Sequence, residues 1–357
     1  MKYQTSRYKA IGVLYYSYMS NDTTAKILII RFSSFGDILQ GLPVTDIIKT
    51  EWPQAQIHWV TREEYAPVLQ EHSKIDQIWP FSRNLGLWGL FRLGTQLRAQ
   101  NFTHVYDAHN NLRSLLLQPL LRCKWKSPLY LVRSKFRIRR LFLFQFRKNY
   151  FPKPFVGAKS YVTPLQKWGL SISNLKPSFQ VSPQLLENTQ KSHQIPHHSI
   201  VLVPSAAWPM KTWPKDYWIS LIQSLLKTSH PLVLLGGKGD AVCFELAEMF
   251  SNTRLVNLAG RLTLEESCAV IQKARQVISA DTGLMHAADQ MGVSTLALIG
   301  PTAFGHPLFP NSLPLEVALP CKPCSKDGRG TCIQAVYQKC LRDITPEQVL
   351  KHIPTFS

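Results

Sequence analysis

The chain has 357 residues, of which 45% are hydrophobic and 18% charged, a composition typical of a folded globular protein. This length exceeds what one ordinary core needs, and therefore suggests two domains. Lysine and arginine number 41 against 22 acidic residues, and the resulting net charge of +19 favours anionic partners such as nucleic acid, phosphorylated small molecules or an acidic membrane surface over cationic ones.

The first 25 residues precede the first clear strand pattern and are interpreted as an N-terminal extension (1–25). They hold neither the roughly 18–20 apolar residues that a membrane span requires nor a clean apolar run followed by a small-residue cleavage site. Met19 would be a natural start, directly before "SNDTTAKILII". We therefore expect a cytoplasmic protein.

Short β-rich runs alternate with helical patterns over residues 26–173, which predicts a first Rossmann-like domain. The predicted strands are "KILIIRF", "QIHWVTR", "IDQIWPF" and "THVYDAH". Because parallel strands need crossover helices between them, this alternation indicates a parallel sheet covered by helices.

The same alternation restarts at Ser199 and predicts a second doubly wound domain over residues 199–357. Its predicted strands are "SIVLVPSA", "PLVLLGG", "RLVNLAG", "QVISA" and "STLALIG". The polar stretch 174–198 holds three prolines and is interpreted as the linker. The predicted fold class is thus α/β, with two doubly wound domains and a ligand cleft between them.

A basic, aromatic-rich segment interrupts the pattern of the first domain. No acidic residue occurs between Asp107 and Glu187, whereas Arg137, Arg139 and Arg140 are among many cations there, interleaved with phenylalanine and tyrosine. A solvated helix face is one interpretation. The lack of compensating acids favours an anion-binding or membrane-surface patch.

Seven cysteines divide into two groups. Cys123, Cys243 and Cys268 lie in apolar or helical patterns and are expected to be core thiols. The remaining four cluster near the C-terminus, at Cys321, Cys324, Cys332 and Cys340. Their C-x-x-C start could bind zinc, but the later spacings are loose, so reduced loop thiols are the favoured interpretation.

Polar residues that follow the predicted strands of the second domain suggest a phosphate site. Asp281 comes directly after a strand, and Thr282 and Gly283 open a helix whose exposed amides suit an anion. The same spacing also fits a helix N-cap. His286, one turn later, could face either the ligand or the core.

Two further strand ends add candidates to this edge. Lys211 lies between a strand end and a helix start, where it could pair with a diphosphate. Asp240 closes "GGKGD", where an acid could bind a ribose hydroxyl, although a simple turn with an N-cap explains that stretch equally well.

The first domain places an acid at its first strand-to-helix turn, "RFSSFGDIL". Asp37 would be held ionised by the helix start and could take a proton from an acceptor hydroxyl. Ser33 and Ser34 would offer hydrogen bonds to that acceptor, and Gly36 would leave room for it. A helix cap alone is the structural alternative.

Several absent motifs narrow the function. No two aspartates stand two residues apart, so there is no D-x-D site for a metal-bound diphosphate. No P-loop occurs, and neither domain opens with G-x-G-x-x-G, which argues against a P-loop kinase and a nicotinamide dehydrogenase.

Five stretches together carry a resemblance to a known family: "KILIIRFSSFGDILQGLPV", "KTWP", "NLAGRLTLEE", "ISADTGLMHAADQMGVSTLALIGPT" and "CLRDITPEQV". From Lys26 onward the chain resembles the ADP-heptose:lipopolysaccharide heptosyltransferases of glycosyltransferase family 9, which have the two-domain GT-B fold. The resemblance implies an inverting transfer that needs no metal or other cofactor, with the acceptor on the first domain and the nucleotide sugar on the second.

The resemblance also implies roles for single residues. Asp37 stands at the position of the catalytic base, and Lys211 at that of the lysine that holds the donor diphosphate. The donor loop is matched by Asp281, Thr282, Gly283, Leu284 and His286, and more loosely by Asp240.

The acceptor side departs more from the family pattern. Gln40 replaces a histidine found in many members, and the motif usually like D-x-Q-G-x-x-K-S reads "DAHNNLRS", which implies acceptor contacts for Asp107 and Arg113. With the basic segment added, the predicted partners are a nucleotide-sugar donor, an anionic lipid A–core acceptor and the inner membrane surface, and the predicted state is a monomer. Another nucleotide-sugar transferase or epimerase, and a nucleic-acid-binding protein, are the alternatives.

Overall fold

The computed structural model describes residues 25–122 and 127–353. Residues 1–24 of the predicted extension, and Cys123, lie outside them. The chain divides into two compact units. The first comprises the described residues up to Ser33, together with Gly41–Lys135 and Ser160–Leu175, and the second comprises Ser34–Gln40, Phe136–Lys159 and the residues from Lys176 onward.

The first unit is built on a five-stranded parallel sheet in the order β3-β2-β1-β4-β5. Its strands are β1 (Lys26–Ile30), β2 (Gln56–Arg62), β3 (Gln77–Phe81), β4 (His104–Asp107) and β5 (Leu129–Val132). β1 lies at the centre, and Ile27–Ile30 are completely buried, as expected for a strand covered on both faces.

Helices follow these strands in the alternation that the sequence predicts. They are α1 (Phe35–Gly41), α2 (Pro43–Glu51), α3 (Ala66–Gln70), α4 (Gly86–Ala99), α5 (Leu112–Arg122), α6 (Arg137–Phe146) and α7 (Lys159–Val162), with 3₁₀ turns at Glu63–Tyr65, Arg83–Leu85 and Thr163–Trp168. The order of the sheet reverses between β1 and β4, so the turns after these two strands form the switch point where ligands of such sheets bind.

The second unit holds a six-stranded parallel sheet in the order β11-β10-β9-β6-β7-β8. Its strands are β6 (Ile200–Val203), β7 (Leu232–Leu234), β8 (Leu255–Asn257), β9 (Gln276–Ala280), β10 (Thr295–Ile299) and β11 (Ser312–Glu316). Here the order reverses between β6 and β9. Counted within their own units, both sheets have the Rossmann order 3-2-1-4-5, extended by a sixth strand in the second.

The helices of the second unit cover this sheet. They are α8 (Pro183–His193), α9 (Lys215–Leu226), α10 (Ala241–Met249), α11 (Leu264–Gln272), α12 (Gly283–Met291), α13 (Lys339–Arg342) and α14 (Pro346–Leu350), with a 3₁₀ turn at Pro209–Lys211. The predicted linker contains α8, which begins with the Ser182 side chain as its N-cap. Val181, just before it, donates its N–H to Gln272 Oε1 at 2.7 Å and so joins this stretch to α11.

Candidate active site

The carboxylate of Asp281, directly after β9, is the centre of a polar cluster in the second unit. Its Oδ2 accepts a hydrogen bond from Thr302 Oγ1 at 2.7 Å and lies 2.9 Å from Lys211 Nζ. Its Oδ1 lies 3.6 Å from His286 Nε2. Lys211 follows β6, so the ion pair with Asp281 lies at the switch point of the sheet.

The ionisation of Asp281 is set by this cluster. Burial opposes the charged form, but Lys211, His286 and Thr302 together outweigh burial and hold the pKa of Asp281 well below its usual range. The cluster also leaves no room for a side chain at Gly305, because a Cβ there would lie 2.1 Å from the Asp281 carboxyl carbon. Asp281 is therefore a fixed anion that holds the Lys211 ammonium in place.

Helix α12 begins next to this anion. Thr282 is its N-cap, and its Oγ1 accepts the Met285 N–H at 3.2 Å. The amides of Gly283 and Leu284 belong to the first turn, whose N–H groups have no acceptor within the helix. Thr282, Gly283 and Leu284 are all partly exposed. Amides at a helix start, beside a lysine ammonium, are suited to a phosphate.

The start of α1 packs against the start of α12. A Cβ on Gly36 would lie 3.1 Å from His286 Cδ2 and 3.3 Å from Gly283 Cα, and a Cβ on Gly283 would lie 2.3 Å from a ring carbon of Phe35. The sequence predicts that Gly36 leaves room for a substrate, but the space beside Gly36 is filled by α12. These two glycines allow two helix starts to approach each other.

Asp37 lies in the first turn of α1 and is partly buried. Its Oδ2 accepts the Ser34 hydroxyl at 2.9 Å and the Ser34 N–H at 3.4 Å. Ser34 is exposed and Ser33 is partly exposed. The helix cap predicted as the structural alternative is therefore present, and it orients the carboxylate that the sequence assigns as a base.

His286 faces the interior rather than open solvent, with 3% of its surface exposed. Its Nε2 lies 3.0 Å from the side-chain amide nitrogen of Gln40, which is also buried. Gln40 and His286 thus connect α1 to the Asp281 cluster.

Asp240 closes its own loop. Its Oδ2 accepts the Ser205 hydroxyl and the Gly237 N–H, both at 2.5 Å. The carboxylate therefore joins the turn after β7 to the turn after β6, and its predicted contact with a ribose stays a prediction.

The predicted acceptor residues occupy different environments. Asp107 is 1% exposed, and its Oδ1 accepts the N–H groups of His109 at 3.0 Å and Asn110 at 2.6 Å, so it shapes the turn after β4. Burial raises its pKa, and these hydrogen bonds lower it again in part. Arg113, at the start of α5, is exposed.

The arginines of α6 lie on a helix with little buried surface. Arg137 and Arg139 are exposed, whereas the Arg140 guanidinium lies 4.3 Å from the centre of the Phe304 ring. Of this helix only Leu143 is buried. Ile138, Leu141 and Phe146 are 72%, 56% and 57% exposed, so α6 presents both cations and apolar side chains to solvent.

Sequence reasoning missed three contributors to the Asp281 cluster and its surroundings: Thr302, Gly305 and Ser205. Thr302 lies just after β10, at the same sheet edge as Asp281, and that position was a usable signal. Ser205, two residues after β6, carried the same signal. Gly305 carried no comparable signal, because its role depends on a contact with a residue 24 positions away in the chain.

The cysteines separate as the sequence indicates. Cys243 and Cys268 are buried, and burial raises the pKa of Cys243 to about 12. Cys321, Cys324 and Cys332 are partly exposed thiols, and Cys340 is buried. Within residues 25–122 and 127–353, no three His, Cys, Asp or Glu side chains are grouped so that they could hold a metal ion.

Two parallel, doubly wound units are the architecture of the GT-B fold, which the solved structures named below share. The sequence profile of glycosyltransferase family 9 (heptosyltransferase) matches residues 90–331. The chain belongs to this family.

Individual relatives agree with that assignment. The chain is 25% identical over 349 residues to lipopolysaccharide heptosyltransferase 2 of Salmonella typhimurium, covering 92% of this chain and 97% of the relative. Among solved structures, E. coli ADP-heptose lps heptosyltransferase II superposes with a TM-score of 0.71 at 21% identity, covering 91% and 96% of the two chains. E. coli heptosyltransferase WaaC with ADP-2-deoxy-2-fluoro heptose gives 0.64 at 21% identity, covering 91% and 98%.

Proposed function

We propose that this protein transfers heptose from ADP-heptose to the inner core of lipopolysaccharide, with inversion at the anomeric carbon and without a metal. The observation that carries the proposal is the Lys211–Asp281 ion pair, 2.9 Å long, beside the start of α12. It supplies a cation and helix amides where a nucleoside diphosphate would need them. The name of the Salmonella relative and the ligand of the E. coli WaaC structure support the sugar and the nucleotide.

The donor diphosphate would lie between Lys211 and the first turn of α12. The Gly283 and Leu284 amides would donate to one phosphate, and the Lys211 ammonium, held by Asp281, would contact the other. As the bond between the anomeric carbon and the phosphate oxygen breaks, negative charge grows on that oxygen. A fixed cation and aligned amides stabilise such charge strongly in a site with little water. This arrangement performs the task for which other transferases use a divalent metal.

The acceptor hydroxyl would be activated by Asp37. The carboxylate takes the proton, the hydroxyl oxygen attacks the anomeric carbon from the face opposite the diphosphate, and ADP leaves with the electrons of the broken bond. Configuration therefore inverts. Ser34 holds the Asp37 carboxylate by two hydrogen bonds, which orients it without adding a second charge.

The acceptor is proposed to be an anionic lipid A–core glycolipid at the inner face of the cytoplasmic membrane, approached by a cytoplasmic, monomeric enzyme. α6 supports this, because Arg137 and Arg139 are exposed beside exposed apolar side chains. Basic residues next to apolar ones are typical of segments that lie at an anionic membrane surface. No helix within the described ranges is long and apolar enough to cross a membrane.

The first experiment is calorimetric titration of the metal-free protein with ADP, UDP, GDP and CMP, followed by incubation with ADP-heptose and a Kdo-lipid A acceptor. We expect binding of ADP alone, and a product that carries one added heptose with inverted configuration in the presence of EDTA. Binding of UDP or GDP in place of ADP would show that the donor is a different nucleotide sugar. A requirement for added metal would overturn the metal-free mechanism.

A further inference from the structure

The loop from Cys321 to Gln338, which precedes α13, packs on the turn that carries Lys211. Within that turn, Pro209–Lys211, the described backbone hydrogen bonds run from Lys211 N–H to Trp208 O at 2.9 Å and from Thr212 N–H to Pro209 O at 3.0 Å. A short 3₁₀ turn has poor hydrogen-bond geometry, so it needs outside contacts to keep one conformation.

Gln338 supplies those contacts. Its side-chain amide nitrogen donates to Pro209 O at 2.6 Å and to Thr212 O at 3.0 Å, and so spans the turn from its first residue to the residue after its last. Only 7% of Gln338 is exposed. Its own backbone is fixed as well, because its N–H donates to Cys332 Sγ at 3.4 Å and its carbonyl accepts the N–H groups of Leu341 and Arg342 in α13.

A second part of the same loop contacts the Lys211 side chain itself. Gly328 has a φ of +94°, and a Cβ at this position would lie 2.6 Å from Lys211 Cγ. Arg329, the next residue, lies with its guanidinium 5.1 Å from the centre of the Trp208 ring. The aliphatic stem of Lys211 therefore runs along backbone that only a glycine can provide, while its ammonium rests on Asp281.

We propose that Gln338 is a positioning residue for the donor diphosphate, acting through Lys211, with Gly328 as the surface along which Lys211 extends. This proposal rests on the proposed function of the Asp281 cluster. Without Gln338, two carbonyls of the turn would lose their donor, and Lys211 would sample directions in which its ammonium does not meet the diphosphate. Fixing a charged group before the substrate binds reduces the cost of ordering it during binding.

The test is a double-variant cycle on ADP affinity, measured by calorimetry without metal. Gln338→Met keeps the length and packing of the side chain but removes its donor. We expect ADP to bind roughly 5- to 30-fold more weakly to Gln338→Met than to the unchanged protein, which corresponds to about 1 kcal/mol per hydrogen bond for one or both of the two hydrogen bonds lost. Gly328→Ala should weaken ADP binding in the same direction.

Measuring Gln338→Met in a Lys211→Ala background distinguishes a positioning role from a general loss of stability. In Lys211→Ala protein, adding Gln338→Met should cause no further loss, because the residue it positions is gone. An equal loss in both backgrounds would overturn the proposal, and so would unchanged ADP affinity of Gln338→Met. Gln334→Met is the matched control, since Gln334 lies on the same loop and the described hydrogen bonds to the Lys211 turn come from Gln338 instead, and its ADP affinity should equal that of the unchanged protein.

Kinetics provide an independent reading. Gln338→Met should raise KM for ADP-heptose and leave KM for the acceptor unchanged. If the unchanged protein binds no ADP, the proposed function fails. If it binds ADP and the cycle shows no coupling, the positioning role alone fails.

Discussion

At the scale of single residues, Asp37 lies in the first turn of α1 and is partly buried. The two hydrogen bonds from Ser34 fix the direction in which its lone pairs point.

Asp37→Asn tests the role of this carboxylate as a base. The amide fills nearly the same volume but cannot take a proton, so we expect kcat to fall by about 10²–10⁴-fold. ADP affinity should remain, because the diphosphate contacts belong to α12 and Lys211. Initial rates and ADP titration measure the two quantities. Ser34→Ala is the control and should cost less, and an Asp37→Asn protein with full turnover would remove Asp37 from the mechanism.

Gly305→Ala tests the fixed position of Asp281. The new methyl group would collide with the Asp281 carboxyl, so Lys211 must lose its partner or the backbone must move. Such overpacking typically costs about 1–3 kcal/mol of stability, and we expect a lower melting temperature together with weaker ADP binding. Gly239→Ala is the matched control, because a Cβ there meets nothing within 4 Å. Unchanged melting and ADP binding in Gly305→Ala would show that the carboxylate is not tightly confined.

At the scale of elements, α11 shows that stability and site can be separated. Its N-terminus carries a capping box, in which Thr263 Oγ1 accepts the Glu266 N–H at 3.3 Å and Glu266 Oε2 accepts the Thr263 N–H at 2.8 Å. No described hydrogen bond joins Thr263 or Glu266 to Asp281 or Lys211, so the cap should affect folding alone.

Thr263→Ala is therefore expected to lower the free energy of unfolding by about 1 kcal/mol, because a helix start loses its cap. ADP affinity should be unchanged. Urea denaturation and ADP titration measure the two effects, and Thr331→Ala, at an exposed position, is the control for a generic threonine loss. A stability equal to that of Thr331→Ala would show that the cap contributes nothing.

The end of β11 carries a pH-sensitive contact. Burial raises the pKa of Glu316, but His306 and Lys322 outweigh burial and bring it down to about 2. Their nitrogens lie 3.0 and 2.9 Å from its carboxylate oxygens. Because the folded-state pKa lies below that of the unfolded chain, this contact stabilises the fold above about pH 4.5, and its contribution is lost as the pH falls towards 2.

The stability of the Glu316→Gln variant tests whether this contact stabilises the fold over that pH range. We expect it to be less stable than the unchanged protein at pH 6, with the difference shrinking steadily between pH 4.5 and 2. Denaturation at a series of pH values measures this. Glu248→Gln, in α10, is the control, and its difference in stability from the unchanged protein should not shrink in this way. A difference that stays constant down to pH 2 would contradict the ion-pair explanation.

Most of the elements could be predicted, and most of the precise contacts could not. Strands β1 and β9 are mostly apolar because both faces are covered, and that pattern is visible in the sequence. Asp37, Lys211 and Asp281 could be singled out because each follows a strand, and their roles in the reaction stay predictions. Gln338 was not, because its partners Pro209 and Thr212 lie 129 and 126 residues away, and nothing local in "AVYQKC" indicates that contact. Helix α8 was missed because its polar composition resembles that of a loop.

At the scale of the whole molecule, the excess of positive charge is distributed unevenly. The described part of the acid-free stretch after Asp107 includes the exposed arginines of α6. Binding to an anionic surface through such residues weakens with salt, because each contact is screened.

Arg137→Ala/Arg139→Ala should therefore reduce co-sedimentation with vesicles that contain anionic lipid, by a factor that shrinks as salt rises, while ADP affinity stays unchanged. Each basic residue near such a surface contributes about 1 kcal/mol, so the double variant should bind roughly tenfold or more weakly. Lys227→Ala/Lys273→Ala removes two exposed cations elsewhere and serves as the charge control. Equal losses in both variants would indicate a response to net charge alone.

The assignment of Ser34–Gln40 and Phe136–Lys159 to the second unit has a consequence for dissecting the protein. The polypeptide passes from one unit to the other five times, at residues 33/34, 40/41, 135/136, 159/160 and 175/176. A single cut in the stretch 176–198 would therefore leave the first unit whole but would separate Ser34–Gln40 and Phe136–Lys159 from the rest of the second unit. The first fragment would keep α1 and α6 without their packing partners, and the second would expose the glycine surface of α12 to solvent. Half-length fragments are for this reason poor reagents for studying either substrate site, and point variants in the full chain are the appropriate tool.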